Sequence, residues 1–327
     1  MRYRLQFRPY RRKLNRAIRL GAYPAEVRSG ILIRFDDDQG HVGYGEVAPL
    51  ESFGSESVHR AELLLKGFCG VIRDDGIDSL DPQEYPCLRY ALECARGSMR
   101  TSTQGKGFQG KVISAALLQS DELESIPAAG ESQVWKLKIG APEAEMMQEI
   151  EQVCKLAKAA QQHGWRLRLD ANERLKPDTA MRWVEALDVY KDVIEFLEQP
   201  LDRWIFEDLR TLAQQSPIPV ALDESLSILP GLGLQSEDLN NFHFVAKPSL
   251  GDLRWIREMQ IPMARVVISS VFETAIGFSS LLELAPFERV PGLQTQNVFE
   301  DELSYPHRGN VYVPGQVSAS EVWERLA

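Results

Sequence analysis

No two cysteines in this 327-residue chain are spaced to grip a metal. Cys69, Cys87, Cys94 and Cys154 form no C-x-x-C pair, and none has a histidine at zinc-finger spacing. That excludes a Cys/His zinc site and a redox dithiol, and leaves buried, reduced thiols as the expectation. No apolar run is long enough to span a bilayer. No apolar core of a secretory signal follows the basic N-terminus, so the expected compartment is the cytoplasm, with no membrane partner. No G-x-G-x-x-G opens a helix after a strand, which counts against a dinucleotide-binding sheet. Residues 1–25 contain no acid, although the chain as a whole carries a net charge of −10. That overall charge argues against nucleic acid as a partner.

What is present is ordinary globular composition, 44% hydrophobic and 26% charged, over a length that suits two domains. The acid-free stretch holds Arg2, Arg4, Arg8, Arg11, Arg12, Lys13, Arg16 and Arg19. It reads either as a solvated edge with a mobile loop or as an electropositive flap for a small polyanion. A nucleic-acid arm ranks third, because no aromatic stacking pattern accompanies the charges.

Tyr3, Leu5 and Phe7 alternate with Arg2, Arg4 and Arg8, which predicts a half-buried strand over residues 1–10. A second strand at residues 30–35, a turn at Asp36–Gly40 and a return at residues 41–46 complete an antiparallel meander. Helical spacing follows in Glu56–Phe68 and Pro86–Arg96. This is an α+β region ending near residue 105, and the Ser/Thr/Gln/Gly-rich Gly97–Gly110 suits a linker. From Lys111 the pattern becomes strand–helix alternation, with strand one at Val112–Leu118, strand seven at Arg265–Ser270 and a weaker eighth at Gly292–Thr295. Helices are expected at Ala144–His163, Thr179–Tyr190 and Phe206–Gln215. The expected fold class is α/β: a (β/α)8-type, modified TIM barrel at 106–296, with an α+β N-terminal capping domain at 1–105 on which residues 297–327 pack.

Strands two to six each end on a charge. Lys138 ends Val134–Lys138, Asp170 ends Leu167–Asp170, Glu198 ends Ile194–Glu198, Asp223 ends Val220–Asp223 and Lys247 ends Phe244–Lys247. The intervals, by subtraction, are 32, 28, 25 and 24 residues, each the length of one strand–helix unit. All five groups therefore emerge from the C-terminal rim, where barrel active sites lie. Three carboxylates crowded together repel unless a cation lies among them. All-oxygen ligation suits Mg²⁺, with Mn²⁺ as a substitute, and the absence of Cys or His at these positions disfavours zinc. Burial and a nearby cation push a lysine's pKa down toward that of a general base. A metal holding a carboxylate substrate, flanked by two amines, specifies removal of an α-proton with stabilisation of the enediolate. The expected partner is a small-molecule carboxylate; the oligomeric state is left open, a monomer included.

The ordered set resembles the enolase superfamily. Lys136-Leu137-Lys138 is similar to its K-x-K motif, Asp170, Glu198 and Asp223 match its three metal ligands, and Lys247 matches the lysine that marks the muconate-lactonizing subgroup. Within that subgroup, the segments Asp170-Ala171-Asn172, Glu198-Gln199-Pro200, Asp223-Glu224-Ser225, Lys247-Pro248-Ser249 and Gly43–Leu50 resemble the o-succinylbenzoate synthase family. The resemblance implies syn dehydration of 2-succinyl-6-hydroxy-2,4-cyclohexadiene-1-carboxylate to 2-succinylbenzoate, in menaquinone or phylloquinone biosynthesis. It implies Lys138 as base and then acid, and Lys247 as the electrostatic partner of the enediolate. Further candidates are Lys136 to restrain Lys138, Arg168 to reach substrate through water, and Asn172 to orient a ligand or hold Lys136. Ser269 and Ser270 are candidates for the succinyl group, and Lys13, Arg16 and Arg19 for a closing flap.

Racemases and cycloisomerases use the same five groups, so N-acylamino acid racemisation and dipeptide epimerisation stay open as alternatives. The Asp-x-Asp by which dipeptide epimerases resemble one another is replaced here by Gln294-Thr295-Gln296, and no acid occupies Gly292–Asn297 to suit muconate cycloisomerisation. A non-catalytic binding protein on the same barrel is the reading from another class.

Overall fold

The structure, a computed structural model, describes residues 1–20, 23–104, 110–118 and 132–326. Four antiparallel strands open the chain: β1 (Arg2–Leu20), β2 (Tyr23–Asp36), β3 (Val42–Val47) and β4 (Val71–Arg73), in the order β3-β2-β1-β4. The first two are far longer than their hydrophobic alternation predicts. The reason is Arg12, which continues the buried face: Tyr10, Arg12 and Leu14 are buried between exposed Arg11, Lys13 and Asn15. Its guanidinium is satisfied by the Asp301 carboxylate, the Glu273 carbonyl and Ser304 Oγ, and lies 3.5 Å from the Phe299 ring centroid. The stretch read as a mobile loop is thus a β-ribbon, with its register broken between Lys13 and Ile18. The side chains of Arg16 and Arg19 lie outside the described residues.

Helices α1 (Val58–Gly67), α2 (Asp74–Asp78) and α3 (Pro86–Gln104) complete this region. The sheet meets α3 at two glycines. A Cβ at Gly43 would stand 1.9 Å from the Ala95 carbonyl oxygen, and one at Gly45 would stand 2.0 Å from that of Ala91. Only a residue without a side chain allows this approach.

Expected strand one divides. β5 (Val112–Ile113) pairs antiparallel with β13 (Val311–Tyr312) near the C-terminus, and only β6 (Ala116–Leu118) enters the main sheet. That sheet is parallel and curled, in the order β6, β7 (Val134–Lys138), β8 (Arg166–Asp170), β9 (Ile194–Glu198), β10 (Val220–Leu222), β11 (Phe242–Ala246) and β12 (Val266–Ile268). The covering helices are α4 (Met146–His163), α5 (Pro177–Leu187), α6 (Phe206–Gln215), α7 (Asp252–Glu258) and α8 (Ala275–Leu282). Among the described residues the expected eighth strand is reduced to one bridge, Ser269 to Gly292. Pro291 has no N–H to extend a ladder, and the backbone beyond Gly292 turns to other partners. Among the described residues seven strands form a curled half-barrel, and a closed ring of eight is not seen.

Inside the curl, Phe196, Ala221, Val245 and Val267 from adjacent strands form one apolar layer. On the β9, β10 and β11 strands the next inward residue is Glu198, Asp223 and Lys247, so this layer is the floor of the charged rim. The two regions are joined by Glu46. Its carboxylate accepts from Tyr10 (2.5 Å) and from the backbone N–H groups of Thr274 and Gly277 (2.9 Å each), at the N-terminus of α8. A carboxylate there is favoured by the helix dipole. Near the C-terminus, α9 (Ala319–Glu324) sets Trp323 beneath Arg8, whose guanidinium lies 4.3 Å from the indole centroid. No helix among the described residues is long and apolar enough to cross a membrane.

Candidate active site

The parallel register aligns the strand ends. Lys138 pairs with Asp170 across β7 and β8, and Asp170 with Glu198 across β8 and β9. Asp170, Glu198, Asp223 and Lys247 are all buried. Lys136, one inward position below Lys138, sends its amine between two carboxylates, 2.9 Å from Asp170 Oδ2 and 2.7 Å from Glu198 Oε1. Lys247 donates to Asp223 Oδ1. The five groups and Lys136 therefore lie together at one end of the sheet.

Their electrostatics separate the two lysines of the K-x-K segment. Burial alone lowers Lys136, but the Asp170 and Glu198 charges override it and hold its pKa above the lysine range. Lys138 moves the other way. Its side chain is exposed, yet desolvation by the surrounding protein lowers it, and the charges of Lys136 and Arg174 lower it further against the pull of Asp170. Asp170 is held below the carboxylate range: Lys136 and Lys138 outweigh burial, aided by the Asn172 backbone N–H at 3.1 Å. Glu198 is raised by burial and by Asp170, against Lys136 and Lys247.

The turns after the strands are as constrained as the strands. Asn172, Glu173 and Gln199 have positive φ of 44°, 64° and 37°, a backbone region that costs non-glycine residues on the order of 1 kcal/mol each. Gln199 shows what this geometry achieves. Its side-chain oxygen accepts from the backbone N–H groups of Asp223 and Ser225, both at 3.0 Å, while its amide donates to Leu201 O and Ser225 Oγ. It therefore fixes the backbone that carries Asp223. The E-Q-P segment was its signal in the sequence, but the glutamine received no role there.

Several candidates lie elsewhere than expected. Arg168 does not reach toward the mouth. A register shift at Leu167/Arg168 leaves Glu195 without a strand partner, and Arg168 binds it at 2.7 Å and the Val290 carbonyl at 2.7 Å. Asn172 does not hold Lys136; its amide nitrogen is 3.3 Å from Glu224 Oε1. Ser269 donates to the Gly292 carbonyl at 3.1 Å. Ser270 is hydrogen-bonded to the Glu273 carboxylate and to Thr295 Oγ1. Gln294 accepts from Leu117 N, and Gln296 binds Glu273 O and Tyr305 N.

Two further residues were missed in the sequence. Glu224 is buried next to Asp223 in the chain, and burial with the Asp170 charge raises its pKa to about 8. Phe53, from the N-terminal region, places its ring centroid 4.8 Å from the Lys247 amine. No local pattern marks Phe53, because its partner is nearly two hundred residues away.

The donor set fits a hard divalent cation. Its carboxylates are oxygen donors, and Glu224 Oε2 and Asn172 Oδ1 are buried without a hydrogen-bond partner. Among the described residues no three acids stand close enough to form a ready cage, because the Lys136 and Lys247 amines lie among them.

Comparison with known proteins agrees with this architecture. Residues 3–99 match the family model "MenC, N-terminal domain", and residues 121–232 match "Enolase C-terminal domain-like". The o-succinylbenzoate synthase of Thermosynechococcus vestitus is 31% identical over 298 residues, covering 86% of this chain and 88% of the relative. The chain belongs to the o-succinylbenzoate synthase family. A relative of the same name from an Enterobacter species is 28% identical, covering 87% of this chain and 88% of its own. The solved o-succinylbenzoate synthase of Thermosynechococcus elongatus, with Mg in its active site, superposes with a TM-score of 0.78 at 25% identity, covering 98% of this chain and 99% of that one. The L-Ala-D/L-Glu epimerase of Bacillus subtilis shares the fold at TM-score 0.70 and 15% identity, over 95% and 96% of the chains.

Proposed function

We propose that this chain is an Mg²⁺-dependent o-succinylbenzoate synthase. It dehydrates 2-succinyl-6-hydroxy-2,4-cyclohexadiene-1-carboxylate to 2-succinylbenzoate, a step toward menaquinone or phylloquinone. The observation that carries the reading is the complete set of Lys138, Asp170, Glu198, Asp223 and Lys247 at one sheet end, in a chain of this family. Commitment of Gln294 and Gln296 to backbone groups weighs against a grip on a dipeptide's ammonium.

Asp170, Glu198 and Asp223 would hold the metal, which would supply positive charge to the substrate carboxylate. Lys138 has its pKa depressed and faces the mouth, so it is suited to take the α-proton. The C–H electron pair enters the enediolate, and the Lys247 amine, on the Asp223 side, opposes the charge that develops. The enediolate expels the ring hydroxyl, and the Lys138 ammonium returns its proton to that oxygen, releasing water. One residue serves as base and acid because departure is syn. Lys136 stays charged and keeps Asp170 and Glu198 together.

The test is formation of 2-succinylbenzoate, followed by its ultraviolet absorbance, with Mg²⁺ and with chelator. Metal-dependent turnover is expected. Purified, folded protein that turns over N-succinylamino acids but not the diene would replace dehydration by racemisation.

A further inference from the structure

We infer that Glu273 is a positioning residue for Lys247: its carboxylate ties the turn that follows the lysine to the turn that follows β12. The residue is fully buried, and its carboxylate takes three donors from those two turns. One oxygen accepts from Ser249 Oγ at 2.6 Å. The other accepts from Ser270 Oγ and from the Val271 backbone N–H at 2.9 Å. Ser249 is buried as well and lies two residues beyond Lys247.

The path from Ser249 back to the lysine is short. Pro248–Leu250 is one 3₁₀ turn, closed by the Leu250 N–H on the Lys247 carbonyl at 2.8 Å and by the Gly251 N–H on the Pro248 carbonyl at 2.9 Å. Ser249 is the middle residue of that turn, so fixing its hydroxyl fixes the turn and the backbone that carries the Lys247 side chain. The other half of the tie is itself held. Phe272, just before Glu273, has φ 67°, a region a non-glycine residue keeps only when its surroundings impose it, and its N–H bonds Ser270 Oγ at 3.2 Å. The Glu273 carbonyl accepts from Arg12 Nη1 (2.9 Å) and Gln296 Nε2 (3.2 Å). The main chain of Glu273 is therefore anchored independently of its side chain, and the carboxylate acts as a fixed post. Burial pushes its pKa up against the Ser249 and Ser270 hydroxyls, and the charge of Glu46 pushes it further. A carboxylate is a costly way to join two turns in a dry interior. What it adds is acceptance from several directed donors at once. An amine that opposes developing charge has to be in place before the reaction, and such a tie supplies that placement.

The inference rests on the proposed role of Lys247, and the test separates the two. kcat and KM for the diene are measured with Mg²⁺ for wild type, Glu273→Ala, Glu273→Gln and Ser249→Ala, each alone and in a Lys247→Ala background. Glu273→Ala should lower kcat about tenfold to a hundredfold, the cost of misplacing a group by about an ångström, with KM held within about twofold. Ser249→Ala should shift kcat the same way. Glu273→Gln should recover most of the loss, because its amide oxygen still meets the Val271 N–H while the Ser249 hydroxyl turns to accept from its NH₂. In the Lys247→Ala background none of the three should lower kcat by more than about twofold. A general loss of packing would lower kcat by the same factor in both backgrounds, and that result overturns the inference. If Glu273→Ala fails to fold, Ser249→Ala decides by the same comparison. If Lys247→Ala gives no measurable turnover, hydrogen exchange at the Leu250 N–H decides. Exchange about tenfold faster in Ser249→Ala supports the tie, and unchanged protection overturns it. Absence of dehydration by wild type would refute the functional reading alone and leave the tie to the exchange measurement.

Discussion

Lys136→Met tests how the carboxylate cluster is held together. The substitution keeps the length of the side chain and removes the amine that lies 2.9 Å from Asp170 and 2.7 Å from Glu198. Those carboxylates are 3% and 1% exposed, so water cannot replace the lost charge. Removing one partner of a buried ion pair costs about 3–5 kcal/mol. Glu198 can relieve part of this by taking up a proton, since its pKa is already raised, so the expected loss in chelator is about 3 kcal/mol at neutral pH. With about 2.1 cal/mol/K of unfolding entropy per residue, 327 residues convert that to a fall in Tm of about 4 °C. The sign of the pH dependence follows. In wild type, depressed Asp170 contributes stability above its unfolded pKa that is lost as pH falls through its folded value. Raised Lys136 contributes stability below the unfolded lysine pKa that is lost as pH rises through its folded value. In the variant the carboxylates lack their cation, so their pKa values rise and the deficit grows as pH rises through those raised values. Mg²⁺ should restore most of the loss, because it binds the folded state. Urea melts with chelator and with Mg²⁺ measure all three effects. A deficit below about 1 kcal/mol in chelator, or one that Mg²⁺ leaves unchanged, would refute the account of Lys136 as the internal counter-ion.

Lys138→Ala should lower kcat for dehydration by about 10²–10⁴ or more while far-ultraviolet circular dichroism stays unchanged; near-normal kcat removes Lys138 as the base. In wild type, kcat/KM should rise with pH as the Lys138 amine loses its proton and level off below the ordinary lysine value of about 10.4, and an acid limb at or above that value contradicts the depression. Gln199→Leu strips the acceptor from two backbone N–H groups and should cost about 2–4 kcal/mol in urea melts with weaker Mg²⁺ binding, so unchanged metal affinity refutes its hold on Asp223. Arg168→Met should destabilise by about 3–5 kcal/mol, because Glu195 keeps only Arg289, and leave KM for the diene unchanged; a raised KM returns Arg168 to the substrate.

The strand-end charges were legible in the sequence because each closes an apolar run and their spacing is that of one folding unit. The alternation of buried and exposed residues gave the start of β1, but Arg12 hid its continuation: a charge on the buried face breaks the pattern unless its distant partner, Asp301, is known. Arg168 was misplaced for a related reason. Parity along the strand puts it on the side of Asp170, and the register shift that brings Glu195 against it leaves no mark in composition. Gln199, Glu224 and Phe53 belong to the site through contacts between elements, which local periodicity does not carry. Among the described residues the expected eighth strand is one bridge at Gly292, and Pro291 beside it was given no weight in the sequence.

The stitching of β1 to the far end of the chain bears on how the protein is made. Arg12 closes on Asp301 and Ser304, and Arg8 on Trp323, so contacts of an early-synthesised strand wait for residues synthesised much later. During translation the N-terminal ribbon emerges with a guanidinium destined for the interior and no counter-charge to meet it. Its outer half therefore consolidates only once those later residues have emerged, and these links add to the protein's long-range contacts, the kind that slow folding. Until then the chain's basic opening segment stays unsealed.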